Sequence, residues 1–225
     1  MASQGSRIID LIRPAILRGE WKPGERLQPN VLAERFGTST TVIREALNRL
    51  SGDELVVAIP NRGFFIRTLD LRELEDLTEL RCTVEALGIQ MSITRGELAW
   101  ESELLAIHHQ LQRTPRRPKE DPTHINEDWQ VAHKAFHAKL LEASECSPIL
   151  KLSENLADST ELYRRWSSSS RSASQRNVET EHEEILNAVL ARDAEKAGQL
   201  LRQHYELTKK VIVESGLVAG IATTY

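Results

Sequence analysis

Cysteine is scarce: Cys82 and Cys146 are the only two. That is too few for a disulfide framework, so a reducing, cytoplasmic setting is expected, with both thiols filling core space. Eleven glycines and eight prolines are few for the many tight turns of an all-β sandwich. No apolar run approaches the roughly 20 residues that span a bilayer, so no membrane partner is expected. Met1 to Gly5 lead into a charged amphipathic stretch rather than the apolar core of a secretion signal. Also missing are His-Glu-x-x-His, Gly-x-Ser-x-Gly, a phosphate loop and a Rossmann fingerprint, so the common enzyme motifs are absent. What is present is a chain of 225 residues, 40% hydrophobic and 28% charged. Such a chain makes one large domain or two small ones.

Charge is unevenly spread. Residues 1–69 hold ten basic side chains against seven acidic, and the remainder nineteen against twenty-six. A basic first third on an acidic body predicts that only the small amino-terminal part meets a polyanion.

The apolar spacing divides the chain in the same place. Ile8, Ile9, Leu11, Ile12, Ala15 and Ile16 predict a helix over 6–19, interrupted by Pro14 and stopped at Gly19. A short extended piece follows at Arg26-Leu27. A second helix starts at Pro29 or Asn30 and ends at Gly37. A third runs from Thr40 to about Gly52 behind a Ser39 or Thr38 cap. Leu55–Ile59 and Phe64–Arg67 are β-branched or aromatic and flank the turn Pro60-Asn61-Arg62-Gly63. Three helices and then a hairpin is the order of a winged helix-turn-helix domain, residues 1–69. Residues 70–225 have helical period throughout. Asp70 caps a helix carrying Leu71, Leu74 and Leu77, and others follow at about 78–94, 97–112, 125–145, 148–168, 175–192 and 193–214. The expected fold is mainly α, with an antiparallel bundle of six or seven helices after the winged domain. Thr114 to Pro122 is read as a solvated loop, Ser167 to Ser174 as a mobile turn, and 216–225 as a fraying end.

Two groups of side chains carry chemistry. The third helix presents Ser39, Thr40, Thr41, Arg44 and Asn48 away from its apolar stripe. Hydroxyls and backbone N–H groups at its start suit phosphate oxygens, and Arg44 can pair with guanine or grip a phosphate. Asn30 opens the second helix, placed to reach the DNA backbone or an adenine, and Arg62 sits at the hairpin tip for the minor groove or its phosphates. In the second domain His133 and His137 lie four apart on one helix, with His182 and His204 on two later helices. Imidazoles at such spacing can gather on a divalent ion of the Zn or Ni class, or serve structurally. An empty four-histidine pocket protonated near pH 6 is the alternative. His108, His109 and His124 match no motif and are read as surface. Trp129 and Trp166 are read as core or interface.

The segments LRGEWKPGERL (17–27), LAERFG (32–37), VIREALNRL (42–50), Leu55-Val56 and NRGFFI (61–66) together resemble the GntR family of bacterial transcription regulators. The helical remainder resembles the FadR subfamily with its FCD effector domain. Two positions depart from the family pattern. Ser39-Thr40-Thr41-Val42 replaces a usual Ser-Arg-Thr-Pro, removing one DNA-contacting arginine, and Glu54 replaces a glycine. The resemblance implies a metal held through His137, His182 and His204, with His133 standing where the family has Asp. It also implies that Arg81, in ELRCTVE (79–85), lines the effector pocket, unless it pairs with Glu85 instead. Tyr163, Arg164 and Arg165 come from a helix able to line the same cavity.

The expected function is that of a DNA-binding regulator, a repressor released by a small organic acid, mono- or dicarboxylate, at the metal-containing site. It would work as a homodimer on palindromic double-stranded operator DNA. The alternatives are a constitutive DNA-binding dimer without effector, and a metal-dependent enzyme acting on small acids. Against the enzyme, Glu181, Glu183 and Glu184 flank His182, but helical geometry turns immediate neighbours away.

Overall fold

Ile8, Ile12, Ala15 and Ile16 are buried together on one side of α1 (Gln4–Leu17), which packs on the third helix of the chain. The computed structural model describes residues 4–218 except 54, 69 and 123. Glu54 and the tail beyond 218 therefore lie outside the described residues. These residues separate into two compact units, one ending at Asp70 and one spanning Leu71–Gly216.

In the first unit Gly19, at φ +75°, closes α1, with its N–H on Ile16 O and that of Glu20 on Ala15 O. Strand β1 (Arg26–Leu27) precedes α2 (Pro29–Arg35), where Pro29 occupies the first turn, in which its missing N–H costs nothing. Gly37, at φ +60°, makes the corner into α3 (Thr40–Gly52). Ser39 Oγ accepts the Val42 N–H at 3.3 Å and caps α3. Strands β2 (Val56–Ile59) and β3 (Gly63–Ile66) form an antiparallel hairpin, and β1 adds to β3, giving the order β1-β3-β2. The register sets Leu27 opposite Phe64 and Val56 opposite Ile66. Ile12, Ile16, Leu27, Ile43, Leu47, Leu50 and Ile66 fill the core of this unit.

The second unit comprises α4 (Leu71–Arg95), α5 (Leu98–Arg113), α6 (Glu127–Glu142), α7 (Ser147–Ser167), α8 (Arg171–Gln175), α9 (Val178–Leu190) and α10 (Ala194–Glu214). Helix α4 packs on α10, α7 and α6. Gly198 brings α10 close to α4, where an added Cβ would meet Gln90 Nε2 at 3.1 Å. Phe136, Leu140, Ile89, Leu104, Ile185, Val189 and Leu201 form the bundle core.

Three expectations are corrected here. The helix at Asp70 and the one at 78–94 are a single 25-residue α4, because no glycine or proline interrupts its first turns. The serine-rich run is no mobile turn: Ser167 and Ser168 are buried, and Ser170 caps α8, whose Ala173 is buried. The proline-rich loop is exposed or half-buried along its length, as expected, and is also tied down. Asn126 N–H donates to Arg116 O at 3.0 Å, Arg117 Nη2 donates to Ser168 O at 2.6 Å, and the Arg116 guanidinium lies 5.6 Å from the Trp129 ring. His108 is core, not surface: it continues the buried stripe Trp100, Leu104, Leu111 and meets Phe136 at 5.3 Å. Cys82 is buried, and burial pushes its thiol up to about 11, so it is inert. Cys146 is half-buried at the start of α7. No helix among the described residues is long and apolar enough to cross a membrane.

Candidate functional site

The first unit exposes one polar face. Asn30 at the start of α2, Ser39, Thr40, Thr41, Arg44 and Asn48 along α3, and Arg62 at the hairpin tip are all exposed. Arg44 makes no ion pair among the described residues, whereas Arg49 is held by Glu45 at 3.0 Å. Arg62 lies 6.0 Å over the Phe65 ring. Asn61, at φ +61°, and Gly63, at φ +104°, give the tip its tight turn. The hydroxyls at the α3 start share their place with its free N–H groups, where the helix dipole favours phosphate.

In the second unit the structure brings the four histidines together. His133 and His137 face inward from α6, His182 from α9 and His204 from α10, and all four are buried. One nitrogen from each lies within 4.8 Å of the others. Their partners fix the tautomers. Glu181 accepts from His204 Nδ1 at 2.7 Å, which leaves Nε2 of His204 with its lone pair. Tyr205 donates its hydroxyl to Glu85, so its oxygen accepts from His137 Nδ1 at 3.0 Å. The Nε2 atoms of His137 and His182 are buried and have no partner among the described residues. His133 differs: Arg164 Nη1 approaches its Nδ1 at 3.4 Å, and a guanidinium can only donate. Its ring stacks on Trp129 at 4.6 Å.

Electrostatics keep the cluster neutral. Burial, and then the mutual repulsion of neighbouring cations, pushes His133, His137 and His182 well below the ordinary imidazole value. Burial takes His204 to about 4, although Glu181 opposes it. This direction weighs against a pocket protonated near pH 6. Burial would raise Glu181, but Arg176 and His204 outweigh it and hold the carboxyl at about 2. Unpartnered buried Nε2 atoms on converging neutral imidazoles fit a divalent ion. One nitrogen from each of His133, His137, His182 and His204 would hold such an ion.

Of the three expected effector contacts, two face the cluster. Arg81 and Arg164 line a cavity of about 610 Å³ between α6 and α7 that also reaches His133 and His137. Arg81 donates to Glu85 at 2.7 Å and to Thr160 at 3.0 Å and lies 4.2 Å over the Tyr205 ring, so Glu85 compensates its charge. Arg164 has no carboxylate within ion-pairing distance among the described residues, and its buried Nε has no partner. Burial, with Arg81 nearby, brings it down to about 10, still cationic at neutral pH. Tyr163 lies elsewhere: it is buried and donates to Glu73 at 2.7 Å. Arg165 lines the cavity but is spent on Glu127 and Glu161, each at 2.6 Å.

The sequence reading missed Glu181, Glu85, Tyr205 and Arg176. Glu181 does turn away from His182, but that aims it at His204 on α10. Tyr205 adjoins His204 in the chain, and that adjacency was the available signal.

Comparison with known proteins agrees with this layout. The profile of bacterial regulatory proteins of the gntR family matches residues 4–66, and that of the FCD domain residues 76–207. The HTH-type transcriptional regulator BphR of Paraburkholderia xenovorans is 31% identical, over 92% of this chain and 84% of its own. The HTH-type transcriptional repressor GlaR of Escherichia coli is 29% identical, over 91% and 93%. A crystal structure of a GntR regulator from Rhodococcus sp. RHA1 superposes with a TM-score of 0.68 at 26% identity, covering 95% of this chain and 99% of that one. These relatives are regulators, so the metal-dependent enzyme alternative falls away. With a winged helix-turn-helix unit and an FCD unit that together take in most of its length, the chain belongs to the GntR family of DNA-binding transcriptional regulators.

Proposed function

We propose that the protein is a homodimeric repressor that leaves a palindromic operator when a small organic acid, mono- or dicarboxylate, binds beside a divalent ion in its helical unit. Asn30, Ser39, Thr40, Thr41, Arg44, Asn48 and Arg62 contact the DNA. Arg44 is the base reader, because it is exposed on α3 and makes no ion pair among the described residues. His133, His137, His182 and His204 hold an ion of the Zn or Ni class. When bound, the ion supplies a Lewis-acidic position for a carboxylate oxygen. Glu181 and Tyr205 orient two of the imidazoles, and Arg164 pairs with the acid. The repressor sense follows the likeness to GlaR, a transcriptional repressor.

The observation that carries this reading is that a cavity reaching His133 and His137 of the four convergent neutral imidazoles also holds Arg164, a guanidinium without a carboxylate partner among the described residues. Ligand controls DNA only through a difference in affinity between two arrangements, and coupling of about 1–3 kcal/mol changes operator affinity roughly 5–150-fold. The test measures binding to the chain's own upstream DNA by fluorescence anisotropy, with zinc or with chelator, across a panel of organic acids. A zinc-dependent loss of affinity with at least one acid is expected. Affinity indifferent to every acid would favour a constitutive DNA-binding dimer.

A further inference from the structure

The cavity between α6 and α7 is electrically polar along its depth, and this narrows the acid. Its floor holds the buried side chains Arg81, His133, His137 and Leu141, with the Arg164 guanidinium beside them. Its walls are small and apolar. Val131, Ala135 and Ala138 recur along α6 at spacings of four and three, and Leu150 and Ala157 face them from α7 at a spacing of seven. Its rim is acidic: Glu127, Glu142, Glu154 and Asp158 are each more than half exposed. The rim cations are already engaged, Lys134 with Asp158 at 2.8 Å and Arg165 with Glu127.

Resting on the effector reading above, the geometry points to a ligand with one carboxylate and a sizeable apolar body. The acid group enters first and meets Arg164 and the metal position. The body lies between the alanine-lined walls, where each methylene leaves water. A second carboxylate at the far end would stand among the rim acids with no free cation among the described residues to meet it, so a dianion of the same length is rejected. The cavity volume lies within the range of pockets for drug-sized ligands and is large for an acid of two or three carbons.

Calorimetric titration of the zinc-loaded full-length protein with acetate, octanoate and suberate separates these features. Octanoate is expected to bind at least tenfold more tightly than acetate, and at least tenfold more tightly than suberate, which has the same length and a second acid. Ala138→Trp and Ala135→Trp fill the walls at exposed positions. Either should erase the preference of octanoate over acetate while leaving acetate binding in place, with folding checked by the melting curve. Acetate or suberate binding as well as or better than octanoate overturns the inference and leaves the acid-effector reading standing. No binding by any of the three overturns both.

Discussion

Oε2 of Glu181 lies 2.7 Å from Nδ1 of His204, and that contact decides which nitrogen of His204 faces the other imidazoles. A carboxylate held ionised by Arg176 can only accept, so the ring is kept in the tautomer with Nε2 bare. Glu181→Gln preserves the shape and removes the charge. Zinc affinity, read by competition with a chromogenic chelator, should fall about 10–100-fold. Equal affinity in the variant would strip Glu181 of this orienting role.

Acid should weaken the metal-free protein. His204 titrates at about 4 when folded and near 6.5 when unfolded, and burial depresses the other three in the same direction. Between those values the unfolded chain binds more protons. The stabilisation is thus fully present above about pH 6.5 and is lost as pH falls toward 4. The melting temperature in chelator should drop over that window. The same neutrality means that zinc binding at pH 7.5 releases no imidazole protons. Calorimetry in two buffers of different ionisation heat should give one enthalpy, and a difference worth a full proton per ion would contradict it.

Arg44→Ala should cost about 1–3 kcal/mol of specific DNA binding, roughly a 5–150-fold loss, if the guanidinium reads a base edge. The melting of the helical unit should not move, because Arg44 is exposed on α3 of the other unit. A loss shared equally by unrelated DNA would assign Arg44 to phosphate instead.

Gly96 marks a packing limit between α4 and α5. A Cβ there would run into the Trp100 ring and lie 2.7 Å from Ser92 O. Trp100 cannot yield easily, since its Nε1 donates to Lys139 O at 2.8 Å. Gly96→Ala should lower stability by about 1–3 kcal/mol in a urea melt. A neutral result would mean that the ring moves aside freely.

How far all this could be read in advance depended on range along the chain. The winged unit was legible because its signals are local: the Ser39 cap, the Gly37 corner and the turn before Gly63 each act within a few residues. His133 and His137 were legible as a pair for the same reason. The bonds of Glu181 to His204 and of Tyr205 to Glu85 join different helices, and helical period says nothing about which helix lies opposite. Arg81 shows the limit most plainly. Its spacing from Glu85 allowed either a ligand contact or an ion pair, and the structure has it beside the cavity with the pair formed. His108 was misread because its ring type outweighed its place in the Trp100, Leu104, Leu111 stripe.

The cap on α3 has a consequence for engineering. Since Ser39 Oγ already receives the Val42 amide, what it can still offer outward is its own hydrogen. An aspartate there would anchor the helix start as firmly, yet would turn a negative oxygen toward a polyanion. On the proposed DNA face, thermal endurance and operator attachment would thus respond separately to one substitution.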